Sequence, residues 1–190
     1  MEVFQHKGIC IKEDKRTVYL DPSSSRPDGA VTHAHSDHLR PRTHMTKPTA
    51  DVMRVRTGSK KATPHDYHEK FRINDFELEF VPAGHVLGSA MIECGEVLYT
   101  GDYNPYGTVT AGIAEPRDCE TLIIESTYGK PGQNLPNRNE VLKDLQAWIE
   151  VTSSNGGGIV GAYSLGKAQE VIATANNGGV VPAVSEIVAS

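Results

Sequence analysis

Residues 31–40, VTHAHSDHLR, place three histidines and one aspartate within positions 33–38, directly behind an apolar pair that reads as a strand end. In an extended chain alternate side chains share a face, so His33 and His35 can grip one ion while Ala34 points away. Asp37 and His38 then follow around the turn. One tetrahedral site cannot take all four groups together with more distant ligands, whereas two ions about 3.5–4 Å apart can. Imidazoles with carboxylates and no thiolate suit Zn2+, with iron or manganese as alternatives. The fold is thereby constrained, because this loop must lie where other strand ends deliver the remaining ligands. Two segments fit. His85 closes the apolar run FVPAGH, where Gly84 allows a sharp turn, and Asp102 closes EVLYTGD.

The rest of the chain is consistent with a globular protein of ordinary composition. At 190 residues, 38% hydrophobic and 23% charged, it has material for one substantial core. No run approaches the ~20 apolar residues of a membrane span, and the N-terminus lacks a signal-peptide layout, so a cytoplasmic location without membrane partners is expected. Cys10, Cys94 and Cys119 are odd in number and widely spaced, which argues for buried apolar roles. The net charge of −5 is unevenly distributed. Residues 39–61 carry Arg40, Arg42, Lys47, Arg54, Arg56, Lys60 and Lys61 against Asp51, a local +6 on a body of −11. A solvated face is the plain reading of such a run. Its start two residues after the histidine cluster makes Arg40, Arg42, Lys47, Arg54 and Arg56 candidates for nucleic-acid binding.

GICIKE and TVYLDP read as a hairpin across DKR, with GAVTH as a further strand. Residues 36–57 are compatible with one or two helices, Ser36 serving as a cap and Pro41 and Pro48 breaking any long one. FELEFVPAGH, AMIEC, EVLYTGD and TLIIES continue the strand pattern. RNEVLKDLQAWIEVTSS has helical spacing with Asn137 as cap, followed by GIVGAYS as a strand and GKAQEVIATANN as a helix. Sheets covered by helices, a layered mixed α/β sandwich, are implied. The Pro/Gly/Asn-rich stretch 128–139 divides a metal-binding core, 1–136, from a trailing helix-strand-helix segment, 137–190. His65 and His68, spaced i, i+3 in a polar segment, read as surface histidines, and His6 and His44 as structural or exposed. SLGKAQE lacks the spacing of a phosphate-binding P-loop.

THAHSDH, PAGHVLGSAMI, LYTGDYN and LIIESTYG, in that order, resemble the metallo-β-lactamase superfamily and, within it, the nucleic-acid-processing β-CASP branch. GAYSLGKAQE is similar to the DNA ligase-associated exonuclease-like proteins. The resemblance spans residues 6 to 172 and implies an αββα sandwich. It also implies His33, His35 and His85 on one zinc, Asp37 and His38 on a second, and Asp102 bridging them. Asp21, in YLDPS, matches the first acidic motif and would orient the ligand loop. Glu125 matches the acid that opens ESTYG and partners a later histidine in the branch. With Asp37, it is a candidate catalytic residue.

The chain departs from that pattern in having no histidine after His85. The second metal site is therefore expected to be weak, and the chain to read as the front part of a larger enzyme, with 137–190 opening a cap or completing the core. The implied activity is zinc-dependent hydrolysis of RNA, with DNA as the alternative substrate. Two other readings stand beside it. One is a hydrolase of small esters, lactones or thioesters, which would not need the basic stretch. The other is a catalytically impaired nucleic-acid-binding homologue, which would show low metal content. Loss of a cap would expose apolar surface and favour self-association.

Overall fold

Short apolar-alternating runs, closed by tight turns, build two sheets in the computed structural model, which describes residues 1–189. The first sheet takes its strands in chain order: β1 (Glu2–Gln5), β2 (Ile9–Glu13), β3 (Arg16–Leu20), β4 (Gly29–Ala30), β5 (His44–Thr46) and β6 (Thr63–His65). β1 to β3 are antiparallel, while β4, β5 and β6 add in parallel. The second sheet runs β11 (Thr121–Ile123), β10 (Val97–Tyr99), β9 (Ala90–Cys94), β8 (Phe76–Pro82), β7 (Lys70–Ile73), antiparallel except for β10 with β11. Asn74 and Asp75, with φ of 49° and 69°, form the two-residue turn between β7 and β8. Positive φ at both positions matches the right-handed twist of the flanking strands.

The core lies between the sheets. Ile11, Val18, Leu20 and Ala30 of the first meet Phe71, Ile73, Phe76, Leu78, Phe80, Ile92 and Val97 of the second. Phe80, Ile11, Leu20 and Ile92 are fully buried, each worth roughly 1.5–3 kcal/mol relative to exposure. α1 (Lys47–Thr57) begins at Thr46, whose hydroxyl accepts from Thr49 N, with Pro48 in the first turn, and ends at Gly58, φ 70°. Pro48 therefore opens a helix, as its fixed φ and missing N–H allow.

The chain divides into two compact units, Met1–Glu125 and Ser126–Ser190, the break falling just before the Pro/Gly/Asn-rich stretch. Within the second, α2 (Arg138–Ser154) is capped by Asn137, whose side chain accepts from Asn139 N and Glu140 N. It packs on α3 (Lys167–Asn177), burying Ile149, Ala168 and Ala175, and α4 (Glu186–Ala189) follows. The buried Glu170 of α3 is paired with Arg138 of α2 and with Lys167.

Four expectations need correction. Ser36 caps no helix: residues 36–38 form a turn, and β5 precedes α1. GAVTH is a strand only over Gly29–Ala30, because the chain leaves the sheet to present its histidines. GIVGAYS forms no strand, and Ile159 is 97% exposed; an extended segment becomes a strand only with a ladder partner. His65 is not a surface residue. It is buried at the end of β6, stacked on Phe71 at 3.8 Å between centroids and in contact with His44. Among the described residues no helix is long and apolar enough to cross a membrane.

Candidate metal centre

The histidine-bearing segments leave from strand ends that the two sheets bring together. His33 lies three residues beyond β4, His85 three beyond β8 and Asp102 three beyond β10. Asp21 directly follows β3, and its N–H donates to Ala30 O at 2.8 Å, tying the first two segments side by side. Gly84 has φ +71°, and a Cβ there would stand 2.3 Å from Asn104 O. Gly101 has φ +53°, and a Cβ there would meet the Thr32 side chain at 2.6 Å. Only glycine permits both approaches; the first sets the His85 turn against the segment that follows Asp102, and the second sets the Asp102 segment against the loop that carries His33.

Ligand atoms of His33, His35, His85 and Asp102 all lie within 4.8 Å of one another. His33 Nε2 stands 3.0 Å from His35 Nδ1, and His85 Nε2 stands 3.3 Å from the same nitrogen. Asp102 Oδ2 is 3.6 Å from His33 Nε2 and 3.3 Å from His85 Nε2. Tetrahedral coordination with zinc–ligand bonds of about 2.0–2.1 Å spaces its ligands about 3.3 Å apart, so the observed separations fit a zinc-sized ion. The donor chemistry agrees, since His35 Nδ1 faces two imidazole nitrogens and one proton can satisfy only one of them.

A second group adjoins the first. His38 Nε2 is 3.7 Å from Asp37 Oδ2 and 3.9 Å from Asp102 Oδ1. The two oxygens of Asp102 thus face different sets of histidines. The second set is looser and more open, with the Asp37 side chain 78% exposed.

Asp21, 7% exposed, orients a histidine in each group. Its Oδ1 accepts from Thr32 N at 2.8 Å, and its Oδ2 from the hydroxyls of Thr32 at 2.7 Å and Tyr99 at 3.0 Å. His38 Nδ1 lies 2.9 Å from the same Oδ2. Thr32 Oγ1 also contacts His33 Nδ1 at 2.9 Å. The one hydroxyl proton goes to the carboxylate, so His33 Nδ1–H must donate to Thr32 and the bare Nε2 lone pair points into the cluster. Burial, reinforced by His38, His35 and His85, drives the His33 pKa down to about 2 and keeps the ring neutral. Burial also pulls on His38, but the hydrogen bond and charge of Asp21, with Asp102 and Asp37, more than offset it and raise its pKa. Tyr99 is pushed above its ordinary range by burial and by Asp21, so it keeps the proton it donates.

Thr32 and Ser89 are positioning groups that sequence reasoning missed. Ser89 Oγ accepts from His85 N at 3.0 Å and Val86 N at 3.1 Å, closing the His85 turn. Thr32 sits inside THAHSDH and Ser89 follows GHVLG, so both were visible as neighbours of candidate ligands. Glu125 is brought close to the centre's edge: its Oε1 accepts from the N–H of Tyr103, the residue after Asp102.

The basic residues separate into two kinds. Arg40 turns back onto the histidine loop and gives its guanidinium to the carbonyls of Ser23, Ser36, Asp37 and Leu39. Arg42 is exposed. Lys47 and Arg54 lie on α1, paired with Asp66 and Asp51, and Arg56 is half-buried on the same helix. Thr46 and Thr49 donate to Gly88 O at 2.7 and 2.9 Å, tying the start of this helix to the loop carrying His85.

Two facing sheets thus gather imidazoles and carboxylates at their strand ends, a mixed α/β framework with a donor set suited to a metal ion. No protein-family model matches the chain. It is 32% identical over 165 residues to a probable DNA ligase of Opitutus terrae, covering 81% of this chain and 16% of that protein. It is 31% identical over 179 residues to an RNase J-like protein of Methanocaldococcus jannaschii, covering 77% and 42%. Against the transcription termination factor FttA of the same organism the identity is 31% over 217 residues, covering 87% and 34%. The chain belongs to the metallo-β-lactamase superfamily, in the β-CASP-type nuclease branch. It spans less than half the length of each of these relatives.

Proposed function

We propose that this chain carries the metal centre of a zinc-dependent nuclease that hydrolyses phosphodiester bonds in RNA, with DNA as the second substrate class, in the cytoplasm. One observation supports it above the others: four ligand atoms from three strand ends lie within 4.8 Å of one another, in a chain related to an RNase J-like protein. His33, His35 and His85 would hold one ion and Asp37 and His38 another, with Asp102 shared; iron or manganese could replace zinc. Such ions, when bound, supply Lewis acidity toward a phosphoryl oxygen and make water a nucleophile near neutral pH. The chain's own residues do the rest. Asp21 holds His38 directly and His33 through Thr32. Asp37, exposed at the mouth of the centre, takes up the proton of the attacking water. Glu125 is a second carboxylate, anchored through Tyr103 N. Arg42, Lys47, Arg54 and Arg56 guide the phosphate backbone, which gives binding that tolerates sequence and weakens with salt. Self-association belongs to the same reading, supported by the exposed Val141, Trp148 and Val151 of α2.

The test is metal analysis of the purified protein together with cleavage of 5′- and 3′-labelled RNA and DNA, wild type against His35→Ala. Zinc in the wild type, RNA cleavage, and loss of both in the variant are expected. A zinc-loaded wild type that leaves both nucleic acids intact would overturn the nuclease reading.

A further inference from the structure

The turn that carries Asp37 and His38 is short. Its internal backbone bonds run from His38 N and Leu39 N to the single acceptor His35 O, at 3.1 and 2.8 Å. The carbonyls of Ser36, Asp37 and Leu39 project from its far side and would otherwise need water or side-chain donors. Arg40 meets all three: Nη1 donates to Ser36 O at 3.0 Å and to Leu39 O at 2.8 Å, and Nη2 donates to Asp37 O at 2.8 Å. Its Nε donates to Ser23 O at 3.1 Å, in the segment that follows Asp21. One guanidinium therefore fastens the turn to the neighbouring loop, on the backbone side of the ligands, while Asp21 fastens His38 on the side-chain side. Asp37 depends on this fixture more than its neighbours do. Its side chain is 78% exposed, so its position is set by its backbone, and Arg40 holds that backbone at the carbonyl.

We infer that Arg40 is a positioning residue that clamps the turn bearing Asp37 and His38, and not one of the residues that bind the nucleic-acid backbone. Four of the five guanidinium N–H groups are already given to carbonyls, so a bidentate phosphate contact would have to displace at least one of them. Its planar fork is the reason Arg serves here, because it directs several N–H groups at fixed angles, whereas a Lys ammonium is a single rotating point. The metal and RNA readouts below rest on the function proposed above; the exchange readout does not.

The experiment compares Arg40→Ala and Arg40→Lys with wild type by three measurements. Amide hydrogen exchange at His38 and Leu39 in the metal-free protein should accelerate by about tenfold or more in Arg40→Ala, as expected when charge-assisted bonds closing a turn are removed. Arg40→Lys should fall between Arg40→Ala and wild type. Titration with Co(II), read by absorbance, should show the weaker of two bound equivalents lost or weakened by about tenfold or more in Arg40→Ala, with the tighter one retained. The slope of log RNA affinity against log salt should stay at its wild-type value, whereas a phosphate contact would cost about 0.9 of slope. Wild-type exchange at His38 and Leu39 in Arg40→Ala, or a slope lower by about one, overturns the clamp. A wild type that takes up no metal overturns the proposed function alone, and the exchange measurement then decides the role of Arg40.

Discussion

The two units treat their apolar side chains in opposite ways. In Met1–Glu125 the sheets enclose Ile11, Leu20, Phe80 and Ile92 completely, and every predicted metal ligand comes from a loop leaving that core. In Ser126–Ser190 burial is limited to positions such as Ile149, Ala168 and Ala175, while Trp148, Val151, Ile159 and Val181 are 45%, 63%, 97% and 89% exposed. A ligand constellation must be held within fractions of an ångström, and only the first unit has the packing and the hydrogen-bonded support to do so. The second is a helix pair with extended apolar segments along it, better suited to presenting surface than to positioning chemistry.

The largest effect should come from Asp102→Ala, which removes the one carboxylate facing both histidine groups. RNA cleavage should fall by about a thousandfold or more, with zinc per chain dropping in the same preparation. Unchanged zinc content would mean that the first unit is not organised around this residue. Next comes core truncation. Phe80→Ala should cost about 3–5 kcal/mol in a urea melt, whereas Trp148→Ala, at a site already 45% exposed, should cost about 1 kcal/mol. Similar costs for the two would erase the contrast between the units.

Much of this was legible in the chain itself, for reasons that differ by residue. The gathering of His33, His35, His85 and Asp102 could be read because each lies in a segment that runs on from a strand end, and such segments meet at one edge of the sheets. α2 was read to its cap because Asn137 and the helical spacing are local signals. Most of what failed was not local. GIVGAYS has strand composition, but pairing is decided by a partner that composition does not name. His65 looked like a surface residue because the ring that covers it, Phe71, lies on a strand of the other sheet. The local exception is Thr46-Lys-Pro48, a cap followed by a first-turn proline, which competes in the sequence with Ser36 as a helix start. Arg40 reads like its basic neighbours in the sequence, because bonds from a side chain to backbone carbonyls leave no periodic trace.

Thr32→Val sets the hydroxyl relay apart from simple packing, since the shape is kept and only the link between Asp21 and His33 is lost. Metal affinity should fall about 10–100-fold, the usual cost of removing a partner that orients a ligand. The urea midpoint should move much less than for Phe80→Ala. Wild-type affinity in this variant would show that the His33 tautomer is fixed by something other than Thr32.

The smallest effect concerns protons, and it again separates the units, because residues 126–190 contain no histidine. His44, stacked with His65 and Phe71 in the first unit, has its pKa lowered by burial and then by His65. A histidine kept neutral in the fold takes up its proton more readily when unfolded. Its contribution to stability is therefore complete above about pH 6.5, the unfolded value, and is lost as pH falls from there through the lowered folded value. The slope in that window is at most about 1.4 kcal/mol per pH unit for one proton. Melts of the metal-free protein at pH 5.5 and 7.5 should show it, and His44→Gln should flatten the difference by that one proton. A difference that survives His44→Gln unchanged would assign the pH response to other groups and remove His44 from the comparison.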